Sequence, residues 1–144
     1  MFKRILVPTD GSDITTNAVN TAIALAKVHG AELLTLSVME PFPYSAVSEI
    51  QPVPPQEFID AQQRVATQRV EAVTAAAAAQ GQACRGHTVE ALHAWEAIID
   101  HAKAQGVDLI VMASHGRRGV AALLLGSETQ KVLTHTELPV LVIK

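Results

Sequence analysis

The sequence predicts an α/β fold in three layers, α/β/α, with a mainly parallel five-stranded sheet between two layers of helices. Two observations predict it. Short apolar runs of strand length alternate with longer segments whose apolar residues recur at helical spacing, and this alternation continues through all 144 residues. The apolar runs are nearly continuous, as in strands that helices cover on both faces. Right-handed crossovers then join such strands into a parallel sheet.

The first strand and helix are delimited by turn and capping residues. Residues 5–8 form an apolar run, and the polar turn at 9–12 ends it. Either Ser12 or Asp13 can cap the helix that follows, because both side chains accept a hydrogen bond from a first-turn amide. We expect this helix to continue until Gly30.

The second strand and second helix flank a proline-rich connection. Residues 32–38 predict a buried strand, and the five prolines between residues 40 and 55 exclude regular structure there. That loop is either a plain crossover or a flap over a ligand. A helix over 56–79 should end before Gly81. Its core-facing stripe is predicted to be Ala66, Val70, Val73 and Ala77.

The second half of the chain predicts three more strands. Residues 83–89 are polar enough for an edge strand, and 108–112 are strongly apolar. Residues 139–143 predict the last strand, which either lies at the other edge or inside the sheet. Between these strands we expect a helix that carries Trp95, Ile98, Ile99 and Ala102 on one face and is broken by Gly106, and a short helix over 127–135.

Composition and length favour a single domain over residues 1–144. Apolar residues make up 49% of the chain and charged residues 17%, which is typical of compact globular proteins and not of disordered ones. A chain of this length buries enough surface to build its own core.

Charge, cysteine content and hydropathy exclude several classes of partner. The net charge is −3 and the aromatic residues are only 3% of the chain, so neither a basic surface nor a base-stacking platform for nucleic acid is expected. Cys84 is the single cysteine, which excludes an internal disulfide. No apolar run approaches the ~20 residues of a membrane helix, and no signal peptide follows Met1. We therefore expect a cytoplasmic protein without a membrane partner.

The fold class predicts where a ligand would bind. In such sheets ligands lie beyond the carboxyl ends of strands, where the strand order reverses, and this directs attention to residues 8–12 and 112–129. Gly116 lets the main chain approach an anion, and Gly126-Ser127 starts a helix whose free amides and dipole favour negative charge. A phosphate site is thus predicted. A turn followed by an ordinary cap stays open, since the spacing matches neither a Walker loop nor G-x-G-x-x-G.

Four segments together resemble the signature of the universal stress protein family. They are ILVPTDGS at 5–12, ASHGRRG at 113–119, LLLGS at 123–127 and LPVLV at 138–142. The likeness extends over essentially the whole chain, including the order and length of the elements. It implies a Rossmann-like sheet of the adenine nucleotide alpha hydrolase-like type, with strand order 3-2-1-4-5. It also implies binding of ATP, ADP or AMP and a homodimer through the last strand, 139–143.

The phosphate loop departs from the family pattern at one position. The ATP-binding branch carries G-x2-G-x9-G-[ST], and the corresponding residues here are Ala113, Gly116, Gly126 and Ser127. If the first position needed a positive φ, the alanine methyl would cost about 1 kcal/mol, whereas in extended backbone it costs little. Glu128 either repels phosphates or holds Mg²⁺.

The resemblance also assigns residues to the nucleoside side of the site. Pro8, Thr9 and Asp10 would line it, with Asp10 bonding the sugar or base and Val38 packing on adenine. For Asp10 the alternative is a turn residue that bonds its own backbone, and for Val38 it is a plain core residue. The rest of the predicted set lies around the phosphates: Met112, His115, Arg117 and Thr129.

Arginine next to His115 suits a triphosphate because its guanidinium binds phosphate with two hydrogen bonds. Either Arg117 or Arg118 would reach the ligand, and solvated side chains are the alternative. The other histidines show no metal-ligand spacing, and we expect them at the surface or at helix ends. Ser114-His115 lacks a G-x-S-x-G elbow, so we do not expect a nucleophilic enzyme.

The leading functional hypothesis is therefore a nucleotide-binding sensor or regulatory module of the stress response. Occupancy of the site would alter the loop at 40–55 or the dimer. Two alternatives stay open: a slow ATPase, which would need a base and a metal site, and a nucleotide-free dimeric interaction protein, which Ala113 keeps in consideration.

Overall fold

A five-stranded parallel sheet forms the centre of this computed structural model, which describes residues 1–41, 55–116 and 125–144. The strand order is 3-2-1-4-5 and every neighbouring pair is parallel, so the predicted fold class and strand order are confirmed. The elements in chain order are β1 (Arg4–Pro8), α1 (Asp13–His29), β2 (Glu32–Met39), α2 (Gln56–Ala79), β3 (Cys84–Glu90), α3 (Ala94–Ala104), β4 (Leu109–Ala113), α4 (Ser127–His135) and β5 (Val140–Ile143).

Helix α1 begins and ends where the sequence indicates. Ser12 occupies the N-cap position, although its side chain makes no capping bond to the helix, and Asp13 is the first helical residue. Gly30 closes the helix in the left-handed conformation, at φ 64°, and its N–H bonds the carbonyls of the last turn. The predicted stop at Gly30 is thus correct.

Two apolar clusters bury the two faces of the sheet. In β1, Ile5 and Val7 face α1 and α2, while Leu6 faces α3, because successive side chains of a strand point to opposite faces. All three are fully buried. This two-sided burial explains why the strands read as continuous apolar runs. The predicted stripe of α2 is also correct, since its buried residues are Ala66, Val70, Val73 and Ala77.

The strand order reverses at β1. Strand β1 pairs with β2 on one side and with β4 on the other, and the chain reaches these neighbours by crossovers in opposite directions along the sheet. The loops that follow β1 and β4 therefore leave the same sheet edge and diverge to opposite faces. This is the kind of crevice in which parallel α/β sheets bind ligands.

The outermost strands are β3 and β5. Residues of β3 are mostly exposed, as its polar sequence predicted, and β5 pairs with β4, so of its two possible positions the edge is the observed one. At the amino-terminal side of the sheet, Glu32 bridges Arg4 and Arg85, with Nε–Oε2 and Nη2–Oε1 distances of 2.8 and 2.5 Å. None of the helices in the described ranges is long and apolar enough to cross a membrane.

Gly86 lets α2 lie directly on the edge strand β3. A Cβ atom at this position would overlap Val70 Cγ1, one of the buried methyl groups of the α2 stripe. Its φ is not in the left-handed region, so the glycine is required by close packing and not by backbone conformation. From the sequence, Gly86 was expected only to be part of a polar edge strand.

We expect Gly86→Ala to lower the free energy of unfolding by about 1–3 kcal/mol, because the added methyl overpacks the α2–β3 contact. Val70→Ala removes the methyl groups that it would strike, and the double variant should therefore be more stable than the sum of the two single losses predicts. Urea unfolding followed by circular dichroism measures all four proteins. Strictly additive losses would show that the two positions do not contact each other.

Candidate functional site

A cleft of about 620 Å³ opens beyond the carboxyl ends of β1, β2 and β4. Its volume is in the range of sites that bind small molecules, roughly 300–1,000 Å³. The structure brings together every predicted site residue that it describes. The cleft is lined by Pro8, Thr9, Asp10, Val38, Met112, Ala113, His115, Gly116, Gly126, Ser127, Glu128 and Thr129. Arg117 and Arg118 lie outside the described residues, as do residues 42–54 of the proline-rich loop.

Asp10 is held firmly by the turn that follows β1. Its Oδ1 accepts hydrogen bonds from Ser12 N at 2.9 Å, Ser12 Oγ at 2.5 Å and Thr15 Oγ1 at 2.9 Å. The predicted alternative of a turn residue bonding its own loop is therefore observed for this oxygen. The other oxygen faces the β4 loop, because a Cβ on Gly116 would lie only 2.6 Å from Asp10 Oδ2. One carboxylate oxygen organises the turn, and the other lies between the two loops of the crevice.

Gly126 allows the start of α4 to touch the end of β4. A Cβ on this glycine would lie 2.8 Å from His115 Cα, a backbone atom that cannot move aside cheaply. Gly126 N also donates to Ser114 O at 2.7 Å. Its φ of −61° is open to any residue, so close approach alone requires glycine here. The two segments predicted to converge on one pocket are in direct contact.

The hydrogen bonds around α4 decide which groups face the cleft. The helical pattern begins with Gln130 N, which donates to Gly126 O at 3.0 Å, so the amides of Ser127, Glu128 and Thr129 belong to the first turn. The Gly126 amide is already engaged with Ser114, and only the later amides and the Ser127 hydroxyl are candidates for an anion. Thr129 has a structural role as well, because its buried hydroxyl donates to Ala113 O at 2.9 Å.

Ala113 fits its position without strain. Ala113 is the last residue of β4. Among the described residues, only glycines have a positive φ. The alanine in place of the family's first glycine therefore carries no backbone penalty, since extended strand backbone accepts a methyl group. Position 113 therefore has the extended backbone in which alanine costs little, and not the positive φ that would have favoured glycine.

The carboxylate of Glu128 is directed to a second helix. Its Oε2 accepts a hydrogen bond from Trp95 N at 2.8 Å, in the first turn of α3, where the helix dipole favours a negative charge. For the Mg²⁺ alternative, the described part of the chain contains no group of three His, Cys, Asp or Glu side chains close enough to hold a metal ion. Glu128 still lines the cleft, but its bonding anchors α4 to α3.

Ser114, His101 and Cys84 do not line the cleft. Ser114 is almost completely buried, and its Oγ lies 3.1 Å from Nδ1 of the neighbouring His115. His101 stacks on His87 at 5.0 Å, beside β3 and away from the cleft lining. Burial, with further contributions from His87 and Arg85, lowers the pKa of His101. Burial raises the pKa of Cys84 to about 11, which keeps this thiol protonated and unreactive.

The wall of the cleft that α2 forms was not predicted from the sequence. Helix α2 contributes Gln62, Val65 and Arg69 to the lining. These residues are three and four positions apart and so share one helical face, next to the buried stripe. That spacing is visible in the sequence, but the sequence does not show that the amino-terminal half of α2 lies beside the β1 turn.

Comparisons with known proteins agree on one family. A family model described as the universal stress protein family matches residues 1–144. A universal stress protein of Thermus aquaticus is 35% identical over 146 residues, covering 100% of both chains. The universal stress protein YxiE of Bacillus subtilis is 34% identical over 150 residues, again covering 100% of both.

Solved structures share the fold. Protein MJ0577 of Methanocaldococcus jannaschii superposes with a TM-score of 0.84 at 29% identity, over 100% of this chain and 96% of that one. A universal stress protein in complex with cAMP has a TM-score of 0.72 at 21% identity, with 99% and 97% coverage. One from Archaeoglobus fulgidus in complex with dAMP has a TM-score of 0.69 at 19% identity, with 99% and 98% coverage.

The contact at Gly126 can be tested through the only tryptophan of the chain, Trp95. We expect Gly126→Ala to push α4 away from β4, to displace Glu128 from Trp95 N and to change the emission of Trp95, with a loss of about 1–3 kcal/mol of stability. Gly30→Ala is the matched control, since φ there is 64° but nothing lies within 4 Å of an added Cβ. It should lose about 1 kcal/mol and leave the emission unchanged. An unchanged emission in both variants would contradict the prediction.

Proposed function

This chain belongs to the universal stress protein family, and we propose that it binds an adenine nucleotide (ATP, ADP or AMP) in the cleft between β1 and β4. In this proposal the protein is a sensor or regulatory binding module of the stress response, and occupancy of the cleft is its signal. The observation that carries the proposal is that two chemically different walls, one suited to a nucleoside and one to phosphate, line one cavity of about 620 Å³.

The nucleoside wall combines one fixed carboxylate with apolar side chains. Asp10 is positioned by its turn, and a carboxylate accepts hydrogen bonds from sugar hydroxyls or an exocyclic amine. Val38 is partly buried, packs against the α3-side core cluster and also lines the cleft, next to Ile98 and Met112. An apolar surface of this kind suits the face of an adenine ring.

The phosphate wall is the first turn of α4. The amides that precede the first intrahelical bond and the Ser127 hydroxyl are the donors available to an anion, and the dipole of α4 adds a partial positive charge. The contact at Gly126 keeps this helix end against the β4 loop, where Gly116 has no side chain and lies close to Asp10 Oδ2. Together these features suit a phosphate group attached to a nucleoside in the same cleft.

The ligands of the related structures support the same chemical class. The two solved universal stress proteins in complex with cAMP and dAMP hold ligands that share an adenine and one phosphate. A binding role is also favoured over catalysis by the residues around the cleft, because Ser114 is buried and Asp10 Oδ1 is committed to its turn. The number of phosphates and a role for Mg²⁺ are parts of the proposal that titration decides.

We expect calorimetric titration to give saturable binding of at least one of AMP, ADP and ATP, with and without Mg²⁺. Ser127→Asp should weaken it roughly tenfold or more, because a carboxylate in the first turn of α4 suits the helix but repels phosphate. Gln56→Asp is the matched control, since it adds the same charge at the exposed start of α2, outside the cleft lining.

Equal affinity of wild-type protein and Ser127→Asp would contradict the placement of the phosphate. No heat with any of the three nucleotides would contradict nucleotide binding itself and favour the nucleotide-free interaction protein. Steady phosphate release from ATP that the same variant abolishes would favour the slow ATPase.

We also propose a homodimer through the last strand, residues 139–143. β5 pairs with β4 and lies at the edge of the sheet, and an unpaired edge invites another strand. Apolar side chains remain accessible in the last two elements, with Leu141 of β5 37% and Leu133 of α4 40% exposed.

The dimer proposal predicts different molar masses for two lysine variants. Light scattering coupled to gel filtration should give a dimer for the wild-type protein and a monomer for Leu141→Lys, because the buried interface would then contain a charge. Val28→Lys is the matched control on α1, where Val28 is 81% exposed, and it should remain dimeric. A monomeric wild-type protein would contradict the proposal.

A further inference from the structure

The described lining of the cleft has an uneven charge. Three acidic residues line it, Asp10, Glu40 and Glu128, whereas Arg69 is the one lysine or arginine among the lining residues that the structure describes. An anionic ligand in this cleft would share it with three carboxylates. The electrostatic cost of placing it there depends on which cation is near enough to offset it.

Arg69 reaches the cleft from α2. It follows Gln62 and Val65 on the helical face that lines the cavity, and it is flanked along the chain by the buried residue Val70. Arg69 itself is only partly buried, and it contributes to the lining of the cleft.

The arginine side chain passes directly over Gly11. A Cβ on Gly11 would lie 3.0 Å from Arg69 Cγ, 3.3 Å from Nε and 3.4 Å from Cδ. Gly11 also has a φ of 76°, and its N–H donates to Thr9 Oγ1 at 3.2 Å. Two independent constraints, backbone conformation and the path of Arg69, thus favour glycine in the turn between Asp10 and Ser12.

We propose that Arg69 determines which anion the cleft accepts, by supplying the positive charge that offsets the phosphates of the bound nucleotide, and that Gly11 leaves the path along which Arg69 reaches it. This inference rests on the proposed function and adds a residue to it, since Arg117 and Arg118 were the arginines that the sequence indicated. Guanidinium suits the role because it stays charged and offers phosphate two parallel hydrogen bonds.

The test compares ligands that share adenosine and differ in the number of phosphate groups, and therefore in charge. Adenosine, AMP, ADP and ATP are titrated into wild-type protein, Arg69→Gln and Arg69→Lys at low and at physiological salt. For Arg69→Gln we expect unchanged adenosine affinity and a loss that grows with each phosphate, reaching roughly tenfold or more for ATP. The lysine variant should retain part of the ATP affinity, and the loss should be larger at low salt.

Two further variants separate charge from structure. Arg64→Gln removes the same charge from an exposed position of α2 that does not line the cleft, and it should bind all four ligands like the wild-type protein. Gly11→Ala keeps Arg69 but obstructs its path, and it should reproduce the phosphate-dependent loss. Thermal unfolding of each variant confirms that the protein titrated is folded.

Each result has a distinct meaning. A loss that is equal for adenosine and ATP would show that Arg69 only supports the fold of the cleft, and no loss at all would show that it does not contact the anion; either overturns this inference while nucleotide binding stands. If the wild-type protein binds none of the four ligands, both the proposed function and this inference are wrong.

Discussion

The close contact between the end of β4 and the start of α4 determines the shape of the candidate site. Gly126 lies so near His115 that no side chain fits between them, and its amide is bonded to Ser114 O at 2.7 Å. Because the helix is fixed at this point, its first-turn residues line the crevice left by the strand reversal between β1 and β4. A bulkier residue at position 126 would separate the helix end from the sheet edge, and the cleft would lose the wall that α4 forms.

The fold was largely predictable because its local signals agree with one another. Gly30 and Gly81, both at positive φ, follow the helices whose ends they predicted, and the strands are continuous apolar runs because both faces of the sheet are covered. The strand order could not be predicted from such local signals. Alternation of strands and helices predicts a parallel sheet but not the sequence of its neighbours, and the order 3-2-1-4-5 came from the family resemblance.

The candidate site was predictable where it depends on chain position and was missed where it depends on tertiary packing. Residues that follow β1 and β4 had to meet at one sheet edge, and the structure places them around one cleft. The contacts of α2 with Gly11 and Gly86 join segments that are distant in sequence, so no local sequence pattern predicts them. The direction of the Glu128 side chain also could not be predicted from a local pattern, because the packing of α3 brings Trp95 N within 2.8 Å of its carboxylate.

The hydrogen bond between Glu128 and Trp95 is one of the contacts that join α4 to α3. Glu128 is adjacent in the chain to Ser127, and Trp95 also lies 4.4 Å, ring centre to ring centre, from His135 at the far end of α4. One residue of α3 therefore contacts both ends of α4, so the two helices of this outer layer are joined at two points.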